Sequence, residues 1–179
     1  MIHMMDSRIF SYQVAGDKKM TIQLKDSSLL KTQAYIDGQW VDGDQGETFA
    51  VTNPATGEHL ADVASVGAAE TRRAIDAAAQ AMVSWRGLPA KSRSELLERW
   101  HALIIENQED LAVLMTAEQG KPLFESRGEI GYGASFIKWF AEEGKRVYGD
   151  VIPSTADRRG VVVKQPVGVV AAITPWNFP

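Results

Sequence analysis

Residues 167–179 read Val-Gly-Val-Val-Ala-Ala-Ile-Thr-Pro-Trp-Asn-Phe-Pro, and this stretch decides the fold. From Val167 to Ile173 every residue except Gly168 is apolar, a pattern that suits a central strand of a parallel sheet covered by helices on both faces. The residues after Ile173 are chemically different: Thr174 and Pro175, then Asn177 set among Trp176, Phe178 and Pro179. The carboxyl end of a buried strand is where open α/β sheets place their ligands. An asparagine there can aim its amide N–H at a developing oxyanion, and losing such a donor costs ~3–4 kcal/mol in other enzymes. By residue type alone, the favoured reading of Asn177 is a turn former between two prolines.

Working back from Val167, the segment 149–166 is β-rich, with DVIPS (150–154) and VVVKQP (161–166) joined by the polar loop TADRRG (155–160). Arg158 and Arg159 at that loop read as a solvated pair. Before Gly149 the period becomes helical. Gly120 and Pro122 separate two helices, because proline is tolerated in a first helical turn, where its missing N–H costs little. The later helix is expected from about Leu123 to Tyr148, with Ile130, Ala134, Ile137 and Ala141 on its buried stripe. Phe136, Trp139 and Phe140 read as core. Gly128, Gly131 and Gly133 each weaken a helix by ~1 kcal/mol relative to alanine, so they suggest close packing.

The earlier helical stretch divides near Asn107, with Leu96, Trp100, Leu103 and Ile104 before it and Leu111, Leu114 and Met115 after. Ser92 and Glu95 have capping-box spacing. A first helix from Ala68 to about Gly87 carries Ile75, Ala78, Met82 and Trp85 at helical spacing. Two hairpins precede it. AYIDGQWV (34–41) turns at Asp37-Gly38, a pair suited to a type I′ turn. TFAVTNP (48–54) and HLADVAS (59–65) flank a turn in which Pro54 presets φ and Gly57 closes. Residues 1–19 lack apolar periodicity and a signal-peptide core, so they read as a dispensable extension, with Met20 as a natural start.

Composition narrows the chemistry further. The chain has 179 residues, 45% hydrophobic and 23% charged, ordinary proportions for a globular protein. Its 19 Lys and Arg against 23 Asp and Glu give a net charge of −4 without a basic stripe, which argues against nucleic acid as a partner. No run approaches the ~18 apolar residues of a membrane span. Cysteine is absent, so no disulfide, thiolate metal site or cysteine nucleophile lies within these residues. His3, His59 and His101 have no metal-ligand spacing, and no metal site is expected.

Several stretches together carry a family resemblance, in order from about Leu24 to Pro179. IDGQW (36–40), NPATGE (53–58), MTAEQGKPLFESRGEI (115–130), WFAEEGKRVYGDVIP (139–153) and KQPVGVVAAITPWNFP (164–179) are similar to the aldehyde dehydrogenases. EQGKPLFES is shared widely in that family, whereas FAEEGKRVYGD resembles its succinate-semialdehyde and glutarate-semialdehyde branch. The resemblance implies an α/β protein, the amino-terminal portion of the aldehyde dehydrogenase fold. Its hairpins and helices would flank a Rossmann-like cofactor sheet, with a β segment for oligomerisation. It assigns residues 20–148 to the cofactor-binding domain, 149–166 to that β segment, and 167–179 to the first sheet strand with its asparagine motif.

For function, the resemblance implies NADP- or NAD-dependent oxidation of succinate semialdehyde to succinate by a cytoplasmic homo-oligomer, a tetramer in the complete enzyme. A small-molecule aldehyde is the substrate. Asn177 is implied as an oxyanion donor, and Ile173, Thr174, Pro175, Trp176 and Asn177 as lining the cofactor site. The family's glutamate base, cysteine nucleophile and glycine-rich pyrophosphate turn match nothing in these residues, so the chain alone is expected to be inactive. Glutarate semialdehyde or another aldehyde as substrate, and a non-catalytic assembly role, are the alternatives.

Overall fold

The computed structural model describes residues 22–179; the extension read at 1–19 and the start at Met20 lie outside them. The order of elements is β1 (Ala34–Ile36), β2 (Gln39–Val41), β3 (Thr48–Thr52), β4 (His59–Ala64), α1 (Ala68–Gly87), α2 (Ala90–Glu106), α3 (Gln108–Gln119), α4 (Leu123–Glu143), β5 (Asp150–Ile152) and β6 (Gly160–Val162). The six strands form three antiparallel hairpins, β1–β2, β3–β4 and β5–β6. In the first, Tyr35 faces Trp40 with ring centroids 5.0 Å apart. Asp37 and Gly38 both take positive φ, 50° and 75°, as the expected turn type requires.

Helix α4 packs on both α2 and α3, and the residues it buries are small. Ala112, Ala117, Ser126, Ala134 and Ala141 are inside, together with Met115 and Ser94. Small side chains let helix backbones approach closely, so the core depends on proximity rather than on large apolar volume. Ser126 is fully enclosed and shares a hydrogen bond of 2.9 Å with the Thr116 hydroxyl, which satisfies both polar groups. The chain preceding β1 is tied to α3 by buried Asp110, whose carboxylate accepts the backbone N–H groups of Lys25 and Asp26 at 3.0 and 2.8 Å.

Helix α1 opens with a different device. Glu70 is buried and accepts the N–H of Gly67 at 2.9 Å with one oxygen and that of Asp44 at 2.8 Å with the other. These backbone donors, Asp44's foremost, hold its carboxyl below the usual range. One side chain thus caps a helix and fixes the loop before β3.

Several expectations are corrected. Helix α4 stops at Glu143, and Gly144–Arg146 tightens into a 3-10 turn instead of continuing to Tyr148, as helix ends commonly do at glycine. Ser92 and Glu95 form no capping box, because α2 begins two residues earlier at Ala90, behind Pro89. Phe136, Trp139 and Phe140 are exposed rather than core, as are Ile75 and Trp85 on α1 and Leu96, Trp100 and Leu103 on α2. Of the three α4 glycines only Gly131 has a close neighbour, Gln108 Nε2, 3.4 Å from where a Cβ would stand; Gly128 and Gly133 face open space.

The largest correction falls on Val167–Ile173. This run forms no strand, and Val167 and Ile173 are 91% and 97% exposed. A parallel strand is made by its neighbours, which must supply the ladder on both sides. No parallel pairing occurs among the described residues, so the sheet read from this run is not assembled here.

Candidate active site

Asn177 sits in a turn: the Phe178 N–H donates to the Pro175 carbonyl at 3.1 Å, closing the four residues Pro175–Phe178. The turn reading of this asparagine is therefore correct as local structure, and it leaves the amide role intact. Asn177 is half-buried, and the group that holds it is its backbone carbonyl, which accepts a hydrogen bond from Lys121 Nζ at 2.9 Å. Its side-chain amide takes part in no hydrogen bond among the described residues and stays available to a ligand. Of the other residues read as cofactor-lining, Ile173, Thr174, Pro175 and Trp176 are all exposed, Trp176 at 86%. Ile173 and Trp176 thus present bare apolar surface.

Sequence reasoning gave Lys121 and Glu129 no role. Both side chains are about nine-tenths buried, 11% and 10% exposed, and they form an ion pair. Lys121 Nζ also lies 4.7 Å from the centre of the Phe178 ring, a cation–π contact on the same turn. One signal could have found the lysine: it stands immediately before the amino terminus of α4, where the helix dipole disfavours a cation, so it needs a compensating anion. Glu129, two turns into α4, is that anion. Helical periodicity does not mark it, since a buried carboxylate on an apolar stripe reads as an ordinary surface residue.

The stretches that carried the resemblance meet at this place. Gly120 ends α3 in the left-handed region, φ 81°, with its N–H bonded to the Thr116 carbonyl at 3.0 Å. A Cβ on Gly120 would stand 2.8 Å from Pro54 Cγ, so the turn of β3–β4 rests directly on this glycine. Pro54, Gly120, Lys121 and the 175–178 turn form a continuous chain of contacts from NPATGE through EQGKP to PWNFP. Behind Asn177 lies a cavity of about 490 Å³ whose lining includes Gln119, Lys121, Glu125, Glu129 and Tyr132. Its buried Gln119 Oε1 and Glu129 Oε1 are acceptors without donors among the described residues. An oxyanion is also an acceptor, so these two uncompensated acceptors would repel one in this cavity.

Comparison with known proteins fixes the class. The model of the aldehyde dehydrogenase family matches residues 40–179, and the chain belongs to that family. It is 64% identical to the 3-sulfolactaldehyde dehydrogenase of Pseudomonas putida, 63% to the glutarate-semialdehyde dehydrogenase of Pseudomonas putida KT2440, and 59% to the NADP(+) succinate-semialdehyde dehydrogenase of Escherichia coli K12. Each match covers 88% of this chain and 33% of the relative. Among solved structures, an NADP-dependent enzyme of E. coli superposes with a TM-score of 0.86 at 59% identity, over 88% of this chain and 33% of that one. The chain therefore spans about a third of the length of the relatives it matches. No helix among the described residues is long and apolar enough to cross a membrane.

Proposed function

We propose that this chain supplies the oxyanion-binding segment and part of the cofactor site of an NAD(P)-dependent aldehyde dehydrogenase acting on a short aldehyde that carries a second, anionic group, with succinate semialdehyde the leading substrate. The observation that carries this is the 175–178 turn, which leaves the Asn177 amide uncommitted in a chain 59–64% identical to such enzymes. Asn177 donates its amide N–H to the oxygen of the substrate carbonyl as negative charge develops there, and Ile173, Thr174, Pro175 and Trp176 line the nicotinamide end of the cofactor site. When bound, the cofactor accepts a hydride from the substrate carbon. The attacking thiol comes from outside these 179 residues, which contain no cysteine.

The other assignments rest on the same footing. Residues 20–148 belong to the cofactor-binding domain, and 149–166, whose β5–β6 hairpin stands exposed at Val151 and Val161, to a homo-oligomer contact. The bare apolar faces of α1, α2 and α4 are surfaces for the remaining two thirds of the relatives' length to cover. Glutarate semialdehyde is the second reading of the substrate, favoured by the 63% identity to an enzyme of that name. The test is a chimera in which residues 22–179 replace the matching third of the E. coli relative. It is assayed with NADP and NAD on succinate semialdehyde, glutarate semialdehyde and an uncharged aldehyde of similar length. Turnover of the anionic aldehydes over the uncharged one is expected, and a folded chimera that prefers the uncharged aldehyde would contradict the reading.

A further inference from the structure

We infer that Lys121 is a positioning residue, pinned by Glu129, whose ammonium group fixes the Pro175–Phe178 turn and thereby aims the Asn177 amide. This deepens the functional reading above and rests on it for the purpose of the turn, while the contact itself stands on geometry alone.

Lys121 Nζ has three donor hydrogens and two anchors on the turn: the Asn177 carbonyl at 2.9 Å and the face of the Phe178 ring at 4.7 Å. Glu129 pairs with its charge. With about a tenth of each side chain exposed, neither ion is solvated enough to exchange its partner for water at no cost, so the pair is a fixed point. The turn has few other restraints. It contains one backbone hydrogen bond, and the run leading into it from Val167 to Ile173 has no strand partner. The position of Asn177 relative to α4 is therefore set by Lys121 more than by the backbone preceding it. The bond reaches the main-chain carbonyl of Asn177, so it orients the residue without occupying the side-chain amide.

The test uses the 179-residue chain and hydrogen exchange read by mass spectrometry, which tolerates self-association. Removing the lysine alone leaves Glu129 as an uncompensated buried charge and can unfold the chain, so the informative variant is K121M/E129Q, which removes both charges at nearly constant shape. Within the peptide 171–179, the amide of Phe178, the one hydrogen-bonded there among the described residues, is expected to exchange ~10-fold faster, the loss of about 1.4 kcal/mol of local protection, with peptides from α2, α3 and α4 unchanged. K121R, which keeps a donor and a charge, is expected to restore most of the protection. Unchanged exchange at 171–179 in the double variant would overturn the inference. So would quickening spread evenly over α2–α4, which would make the pair a support of the helices and not of the turn. Neither outcome depends on whether the chimera oxidises an aldehyde, so the two proposals fail separately.

Discussion

Helices α3 and α4 bury a shared face, whereas the apolar stretch 161–179 stays bare. In α3 and α4 the packing partners are near in sequence: the two helices are joined by three residues and bury Ala112, Ala117, Ser126 and Ala134. In Val167–Ile173 the hydrogen-bonding partners of a parallel strand are by construction distant in sequence, at least a crossover away. The same kind of residue is thus core in one place and bare in the other. What differs is the sequence distance over which the partner must be found.

The comparison can be broken at its best-packed point. Gly120 combines a left-handed backbone with a neighbour 2.8 Å from any Cβ, whereas Gly57 has φ 74° and open space around it. Gly120→Ala is therefore expected to destabilise the chain by roughly 2–3 kcal/mol in urea unfolding, against about 1 kcal/mol for Gly57→Ala, since left-handed strain is common to both and the clash only to one. Equal losses would mean that Pro54 yields freely and that the contact between the two motifs is not a tight one.

A smaller effect is expected on the acid side. Backbone donors from Asp44 and Gly67 hold the Glu70 carboxyl below its ordinary value in the folded chain. A lowered folded value means that this stabilisation is fully present above the ordinary carboxylate range and is lost as pH falls through the folded value. Glu70→Gln should accordingly lower stability at neutral pH and flatten its decline towards acid, measured as the urea midpoint between pH 7 and pH 3. An unchanged slope would assign the acid sensitivity to other carboxylates.

The smallest effect belongs to the tail. Val170 is exposed here, so Val170→Ser should change the stability of this chain by no more than about 0.5 kcal/mol. If the run is a sheet strand in the complete enzyme, the same change in the chimera should cost ~2 kcal/mol or more, because it buries a hydroxyl in place of two methyl groups. Similar small effects in both settings would mean that 167–173 is not a buried strand in the complete enzyme.

Legibility in the sequence followed the same division. The hairpins at Asp37-Gly38 and Pro54–Gly57, the break at Asn107 and the stop at Gly120 are local signals and stand where the residues put them. Burial was harder to read. Phe136, Trp139 and Phe140 look like core because they are large and apolar, but coverage depends on surfaces that periodicity does not describe. Asp110 and Glu70 were missed because charged residues on a helix read as solvated until the backbone N–H groups they accept are known. At the site, Asn177 was legible through family resemblance, whereas Lys121 and Glu129 required three dimensions: the partner of Lys121 on the turn is 56 residues away in sequence.

The central claim is that the Asn177 amide stabilises the oxyanion of an aldehyde dehydrogenase reaction, and the chimera carrying Asn177→Ala tests it most directly. With succinate semialdehyde and NADP, kcat is expected to fall by ~10²-fold or more, with the thermal midpoint close to that of the unsubstituted chimera, the pattern of a donor used in the transition state. A kcat unchanged by the substitution, in a chimera that folds and turns over, would contradict the claim.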